Sequence, residues 1–272
     1  MNDDALQAGF DDEKCQQFND QGYCTIDAFF TPEEIGAVCQ EVTSIIERHP
    51  DVWEGMVHFE KSVASGESTP ASKELGVRKL FRIAQHNEFF RELAFHPKMV
   101  AIAMTLVGPD VKVIQSMTLL KPPRVGTPKA WHQDNAYFLL TPNHVFGFWV
   151  ALDDTTPENG CMHIVPGSHL NGVAEHGRVP GDYGLVELPS VDDALPIPLN
   201  AGDVLLFHCE LYHYSPPNAT DRRRRALQYH YASSKCSLPP ERRAAIQKQP
   251  PNMRVNLKGE LRIAGREYED CI

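Results

Sequence analysis

The chain has 272 residues, 42% of them hydrophobic and 23% charged, with a formal charge of −10. That composition fits one large globular domain, and the length is enough to bury a core without disulfides or structural zinc. The acidic balance disfavours nucleic acid or an anionic membrane as the main partner, and no apolar run approaches the length of a membrane span.

The start, Met1-Asn2-Asp3-Asp4, lacks the basic and apolar regions of a secretory signal. Seven cysteines make an odd number with no CxxC pair, so a zinc ribbon is excluded by spacing and reduced thiols in a cytoplasm are expected.

Residues 11–20 read as a short polar helix ending at Gly22, followed by a brief strand from Tyr23 to Ile26. Thr31-Pro32-Glu33-Glu34 is a helix start: Thr31 can cap, Pro32 suits the first helical position and Glu34 completes a capping box. Ile35, Val38, Val42, Ile45 and Ile46 then recur at helical spacing until His49-Pro50. Residues 51–77 carry no sustained period, and Gly66-Glu67-Ser68-Thr69-Pro70 reads as a mobile loop. Asn87 is expected to cap a helix through Phe95, and His96-Pro97 to begin another that runs to Gly108.

From residue 111 the character changes. Val111 to Leu120 is strand-like, Pro122-Pro123 and Gly126 break it, and further strands are expected over 144–152, 161–165, 203–208 and 225–233. The Gly- and Pro-rich insert 169–198 lacks helical period and reads as a lid or rim. Short strands with turn punctuation argue for an antiparallel sandwich or barrel with the N-terminal helices packed outside. One domain over 1–272 is expected, with a helical part to about 110, a β core over about 111–235 and a tail from about 236.

The chemistry is concentrated in Trp131-His132-Gln133-Asp134 and in His213, 81 residues after His132. On a strand, residues i and i+2 share a face, so His132 and Asp134 can hold one metal and His213 can close a two-histidine, one-carboxylate triad. The HxD triplet alone is weak in a chain with 12 histidines, and His208-Cys209-Glu210 with His213 is a rival cluster. His208 and His213 are five apart, not the four of a helical HExxH zinc site. His163 and His169 are left out because three ligands complete a set that must keep open positions. Arg222-Arg223-Arg224-Arg225 leads into the last core strand, where alternation sends some guanidinium groups inward, suited to pairing a carboxylate in a fork. Cys161 and Cys209 have no base nearby in sequence to mark a nucleophile.

An ordered set of segments resembles the phytanoyl-CoA dioxygenase family of iron(II)/2-oxoglutarate oxygenases. Phe18 to Tyr23 with Phe30 to Ile35 resembles the family's opening. Lys121-Pro122-Pro123, Trp131 to Asp134, Trp149 to Asp153, Glu158 to Cys161, Val165 to His169, Gly202-Asp203-Val204 and His213 to Asn218 follow in order.

The resemblance implies a double-stranded β-helix, or jelly roll, with His132, Asp134 and His213 as iron ligands. It further implies that Arg224, eleven residues after His213, binds 2-oxoglutarate, with Ser215 as a hydroxyl helper. Trp149 and Gln115 are implied to line the co-substrate pocket, and Lys79, which matches a lysine on the N-terminal side, is implied to bind the co-substrate with them. Tyr214 stands where the family's common motif has glycine. The implied activity is hydroxylation of an unactivated C–H bond of a small molecule, using O2 and releasing succinate and CO2. Asp134 disfavours halogenation, because halogenating relatives carry a small residue there. A non-catalytic ligand- or metal-binding jelly roll, and a metal enzyme independent of 2-oxoglutarate, are the alternatives.

Overall fold

A computed structural model describes residues 3–240, 242 and 259–266. The chain opens with helices α1 (Asp3–Gln7) and α2 (Asp12–Gln21) and strand β1 (Tyr23–Ile26). Asp11 caps α2 by accepting from the Lys14 N–H, and Gly22 ends it at φ 80°, a left-handed backbone that glycine adopts at no steric cost.

Helix α3 (Pro32–Arg48) begins at the Thr31/Glu34 capping box, and its stripe of Ile35, Val38, Val42, Ile45 and Ile46 is buried. Strand β2 (Val57–Phe59), the single turn α4 (Lys61–Ala64) and strand β3 (Val77–Phe81) occupy the stretch without period. Then come α5 (Ile83–His86), α6 (Glu88–Leu93) and α7 (Pro97–Val107). Asn87 caps α6 by accepting from the Phe90 N–H, and the helix stops two residues short of Phe95.

The β core follows as β4 (Val111–Lys121), β5 (Lys129–His132), the turn α8 (Asn135–Phe138), β6 (Val145–Ala151) and β7 (Met162–Ile164). The insert supplies β8 (His176–Val179), β9 (Asp182–Leu185) and β10 (Leu195–Ile197). Strands β11 (Val204–His208), β12 (His213–Ser215) and β13 (Arg224–Ser233) complete the core, and β14 (Leu261–Ala264) lies beside β4. Of the tail from about 236, residues 241, 243–258 and 267–272, Cys271 among them, lie outside the described residues.

The strands form a jelly roll. The major sheet has the order β1-β11-β6-β13-β4-β3-β2 with β14 also on β4, and the minor sheet has the order β10-β7-β12-β5. The helical part is therefore not wholly helical: β1, β2 and β3 extend the major sheet at both edges.

Alternation along the central strands makes two cores. Phe146, Phe148, Val150, Leu227, Tyr229 and Tyr231 face the N-terminal helices and pack on Val38, Val42, Ile45 and Ile46. Trp149, Ala151, Leu205, Phe207 and Ala226 point the other way and meet Met162 and Ile164 of the minor sheet. The Tyr229 and Tyr231 hydroxyls donate to the Phe90 and Ala94 carbonyls, each at 2.8 Å, which fixes α6 on the sheet. Among the described residues no helix is long and apolar enough to cross a membrane.

Candidate metal centre and its pocket

Strands β5 and β12 are hydrogen-bonded neighbours, and His132 and His213 are register partners across that pair. Their rings lie 4.0 Å apart between centroids. Asp134 joins them by a route that strand periodicity does not describe: β5 ends at His132, and Asp134 takes helical backbone angles (φ −64°, ψ −35°) at the start of α8. Its Oδ1 is 3.5 Å from His132 Nε2 and its Oδ2 is 3.8 Å from His213 Nε2. Among the described residues these three side chains are the group whose donor atoms, all within 4.8 Å of one another, can hold a metal ion.

Backbone carbonyls set the tautomers. His132 Nδ1 lies 2.8 Å from the Ala130 carbonyl and His213 Nδ1 lies 2.9 Å from that of Leu211. Each Nδ1–H therefore donates outward and each Nε2 lone pair is left facing the centre, as a metal ligand requires. Burial, together with the neighbouring His132, pulls the His213 pKa down to about 3, which keeps the ring neutral. Burial alone would raise the Asp134 pKa. The His230, His213 and His132 side chains gathered around it outweigh burial and hold the carboxyl well below its usual range.

His230 is the residue that sequence reading missed. Its Nε2 sits 2.7 Å from Asp134 Oδ2 and 2.9 Å from the Gln228 side-chain amide, and the ring is 1% exposed. The signal was available: Arg224, Ala226, Gln228 and His230 are spaced by two along β13 and share its inward face.

The middle residue of the triplet is structural. Gln133 donates to the Gly172 and Glu210 carbonyls at 2.8 and 2.7 Å and accepts from the Ala174 N–H, tying the insert to the turn before β12. The rival cluster is dispersed. His208 packs against Phe18 and His169, while Glu210 accepts from Asn135 and Asn143. His163 lies against Tyr214, and His169 Nε2 faces the Asn19 carbonyl, so both are outside the centre.

The centre opens into a cavity of about 460 Å³ that is also lined by Lys79, Gln115, Ser215 and Arg224. The arginine run divides as alternation demands. Arg225 forks onto Asp153 at 2.8 and 2.9 Å, Arg223 pairs with Glu74, and Arg224 turns into the cavity. Arg224 is 2% exposed and its guanidinium lies 5.8 Å from the Trp149 ring. Among the described residues it donates only a long 3.3 Å bond to the Leu119 carbonyl, and its buried Nε has no partner. Burial pulls its pKa down to about 10, so it stays charged at neutral pH. Trp149 lies beneath Arg224 and is buried in the inter-sheet core.

The insert forms one wall of the cavity. Asp182 at the start of β9 accepts from the Lys129 ammonium at 2.9 Å and from the Ala130 N–H at 3.1 Å, and the Tyr137 hydroxyl donates to the Tyr183 carbonyl. Gly184 lies so close to β5 that a Cβ there would stand 2.4 Å from the Trp131 carbonyl oxygen. The expected lid or rim is a hairpin pressed against the strand that carries His132. Tyr214 packs on Trp131 at 4.4 Å between ring centroids and borders the cavity.

A jelly roll with two histidines on neighbouring strands of its minor sheet and a carboxylate just beyond one of them defines a class of metal-binding β-sandwich proteins. Residues 18–226 match the model of the phytanoyl-CoA dioxygenase family, and the chain belongs to that family. Phytanoyl-CoA dioxygenase domain-containing protein 1 of Danio rerio is 28% identical over 82% of this chain and 90% of its own length. A probable alpha-ketoglutarate-dependent hypophosphite dioxygenase of Stutzerimonas stutzeri is 28% identical over 82% of this chain and 78% of its own length. Among solved structures, EctD from S. alaskensis with 2-oxoglutarate and 5-hydroxyectoine superposes with a TM-score of 0.72 at 20% identity, covering 95% of this chain and 88% of that one.

Proposed function

We propose that this protein is an iron(II)- and 2-oxoglutarate-dependent dioxygenase that hydroxylates an unactivated C–H bond of a small molecule, forming succinate and CO2. The observation that carries the reading is Arg224, a buried guanidinium aimed into the cavity that holds the His132–Asp134–His213 cluster and, among the described residues, left without a carboxylate of its own. A buried, unpaired arginine is costly, and an anionic co-substrate would supply the missing partner. The relative from Stutzerimonas stutzeri supports 2-oxoglutarate as that co-substrate.

His132, Asp134 and His213 would hold the iron, and Arg224, with Ser215 and Trp149 beside it, would hold the far carboxylate of 2-oxoglutarate. Gln115 and Lys79 line the same space. When bound, iron and 2-oxoglutarate together supply the oxidising power that activates O2 for insertion into a C–H bond.

The protein's part is positional. The Ala130 and Leu211 carbonyls fix the two imidazole tautomers. His230 holds one Asp134 oxygen and leaves the other for the metal. Phe138 and Met162 line the cavity with apolar surface that excludes water. Because Asp134 keeps a carboxylate at its position, hydroxylation is favoured over halide transfer. A metal enzyme independent of 2-oxoglutarate would leave Arg224 unemployed. Among the described residues the cysteines form no disulfide, and Cys24, Cys161, Cys209 and Cys236 are buried, which suits a reducing compartment such as the cytoplasm.

Anaerobic addition of Fe(II) and 2-oxoglutarate should give a weak visible charge-transfer band that requires both. Arg224→Ala should raise the half-saturating 2-oxoglutarate concentration on the order of 10- to 100-fold, the loss of a charge-assisted bond, with iron affinity little changed. Turnover that needs no 2-oxoglutarate would sink the reading.

A further inference from the structure

Tyr214 has no task in the oxidation itself, and it stands where the family's common motif has glycine. Along β12 it alternates with His213, so its ring leaves the outer face of the minor sheet while the histidine faces the metal centre. Trp131 alternates with His132 on β5 in the same way, and His163 lies between Met162 and Ile164, which face the inter-sheet core. Strands β7, β12 and β5 are neighbours, so the three rings form a ladder across that outer face. The Tyr214 centroid is 4.8 Å from that of His163 and 4.4 Å from that of Trp131. A glycine at 214 would break the ladder in its middle.

Trp131 and Tyr214 line a second cavity, of about 590 Å³, that has the β8–β9 hairpin and the residues after it as its other wall. Pro128, Val179, Pro180 and Leu185 add apolar surface to this outer chamber. The Lys61 ammonium ties the hairpin tip to α4 by donating to the Gly181 carbonyl at 2.7 Å. Val186 and Leu188 border the same space yet are 55% and 68% exposed, so a ligand entering it would cover apolar surface now left in water. The chamber also adjoins the metal. Arg78, Thr127, Lys129, Asp182 and Tyr214 line both cavities, and Lys129 is three residues before His132, about 10 Å along an extended strand. One elongated molecule can therefore occupy both.

We propose that the outer chamber seats an apolar ring of the primary substrate against Trp131 and Tyr214, while the carbon to be oxidised reaches inward to the metal. That the ligand is the substrate rests on the dioxygenase reading; that a ring lies there does not. The substrate class is thus an elongated molecule that ends in a ring system. A rigid ring loses less freedom on burial than a flexible chain of the same reach, and it meets two aromatic faces side by side. Tyr214 is thereby a specificity-determining residue, acting at the end of the substrate remote from the metal.

Calorimetry on the anaerobic Fe(II)·2-oxoglutarate protein tests this with 6-phenyl-1-hexanol, with 1-hexanol, which lacks the ring, and with 1-decanol, a flexible chain of similar reach. The phenyl compound should bind about tenfold more tightly than hexanol and about threefold more tightly than decanol. A crystal structure of the complex should show the ring against Trp131 and Tyr214. Tyr214→Ala, and separately the double variant Val186→Ser, Leu188→Ser, should each bring the first ratio to within about threefold of unity. The double variant should keep the parent's thermal midpoint, because both side chains are exposed. Absent binding of the phenyl compound, equal binding of hexanol or decanol, a ring seated elsewhere, or a ratio that survives either variant overturns the proposal. If the charge-transfer band fails to form in the parent protein, the dioxygenase reading fails instead. The seat of the ring is then read on the metal-free protein, so the two failures are distinguishable.

Discussion

His208 and His230 sit on different strands and meet different fates, and the comparison shows what decides whether a histidine is chemistry or scaffold. His230 faces inward on β13 and meets the carboxylate of a candidate metal ligand. His208 ends β11 on the side of α2, and its Nδ1 accepts from the Glu210 N–H at 3.1 Å, a bond that only the unprotonated nitrogen can receive. Burial, with His169 and His144 nearby, pulls its pKa from the ordinary histidine value of about 6.5 down to about 4. Between those values the unfolded chain takes up a proton that the folded chain refuses. Its contribution is therefore intact above pH 6.5 and is lost as pH falls toward 4, by on the order of 3 kcal/mol. His208→Asn keeps an acceptor without the titration, and denaturant midpoints at pH 7, 5.5 and 4.5 should fall less for the variant than for the parent. Equal losses would show that the ring does not control acid stability.

At the scale of elements, α3 was legible because three local signals agreed: the Thr31 cap, Pro32, and a stripe of period 3.6. Thr31→Ala removes the side chain that accepts from the Glu34 N–H and should cost about 1 kcal/mol, seen as a fall of roughly 2–4 °C in a thermal scan. An unchanged midpoint would mean that α3 is held by its buried stripe alone. The long core strands were legible for the same reason of agreement between pattern and turn chemistry. Strands β2 and β3 were not, because each is short and gains its identity by pairing rather than by its own sequence: β3 lies between β2 and β4. Asp134 illustrates a subtler limit. The spacing of the triplet suits a strand, yet its carboxylate arrives through the first turn of α8. The spacing was informative although the backbone that realises it is not extended. The insert carried no period because its hairpin is shaped by contacts to Ala130 and Trp131.

For the whole molecule, the centre joins segments that are distant in sequence, so a bound ion should stabilise the fold only when all three side chains are present. Anaerobic Fe(II) at about 100 times its dissociation constant adds about 2.7 kcal/mol, a rise of roughly 5 °C that a chelator should reverse. Asp134→Ala should show little of that rise, and an undiminished shift would place the ion elsewhere. The direct pairing of His132 with His213 carries one more consequence. A slip of one residue between β5 and β12 would turn His213 to the opposite side of the sheet. A slip of two would restore its side but move it about 7 Å along the strand. Neither misaligned chain could bridge an ion, so metal uptake acts as an inspection of strand alignment, loading the molecules whose minor sheet has closed in register and passing over the rest.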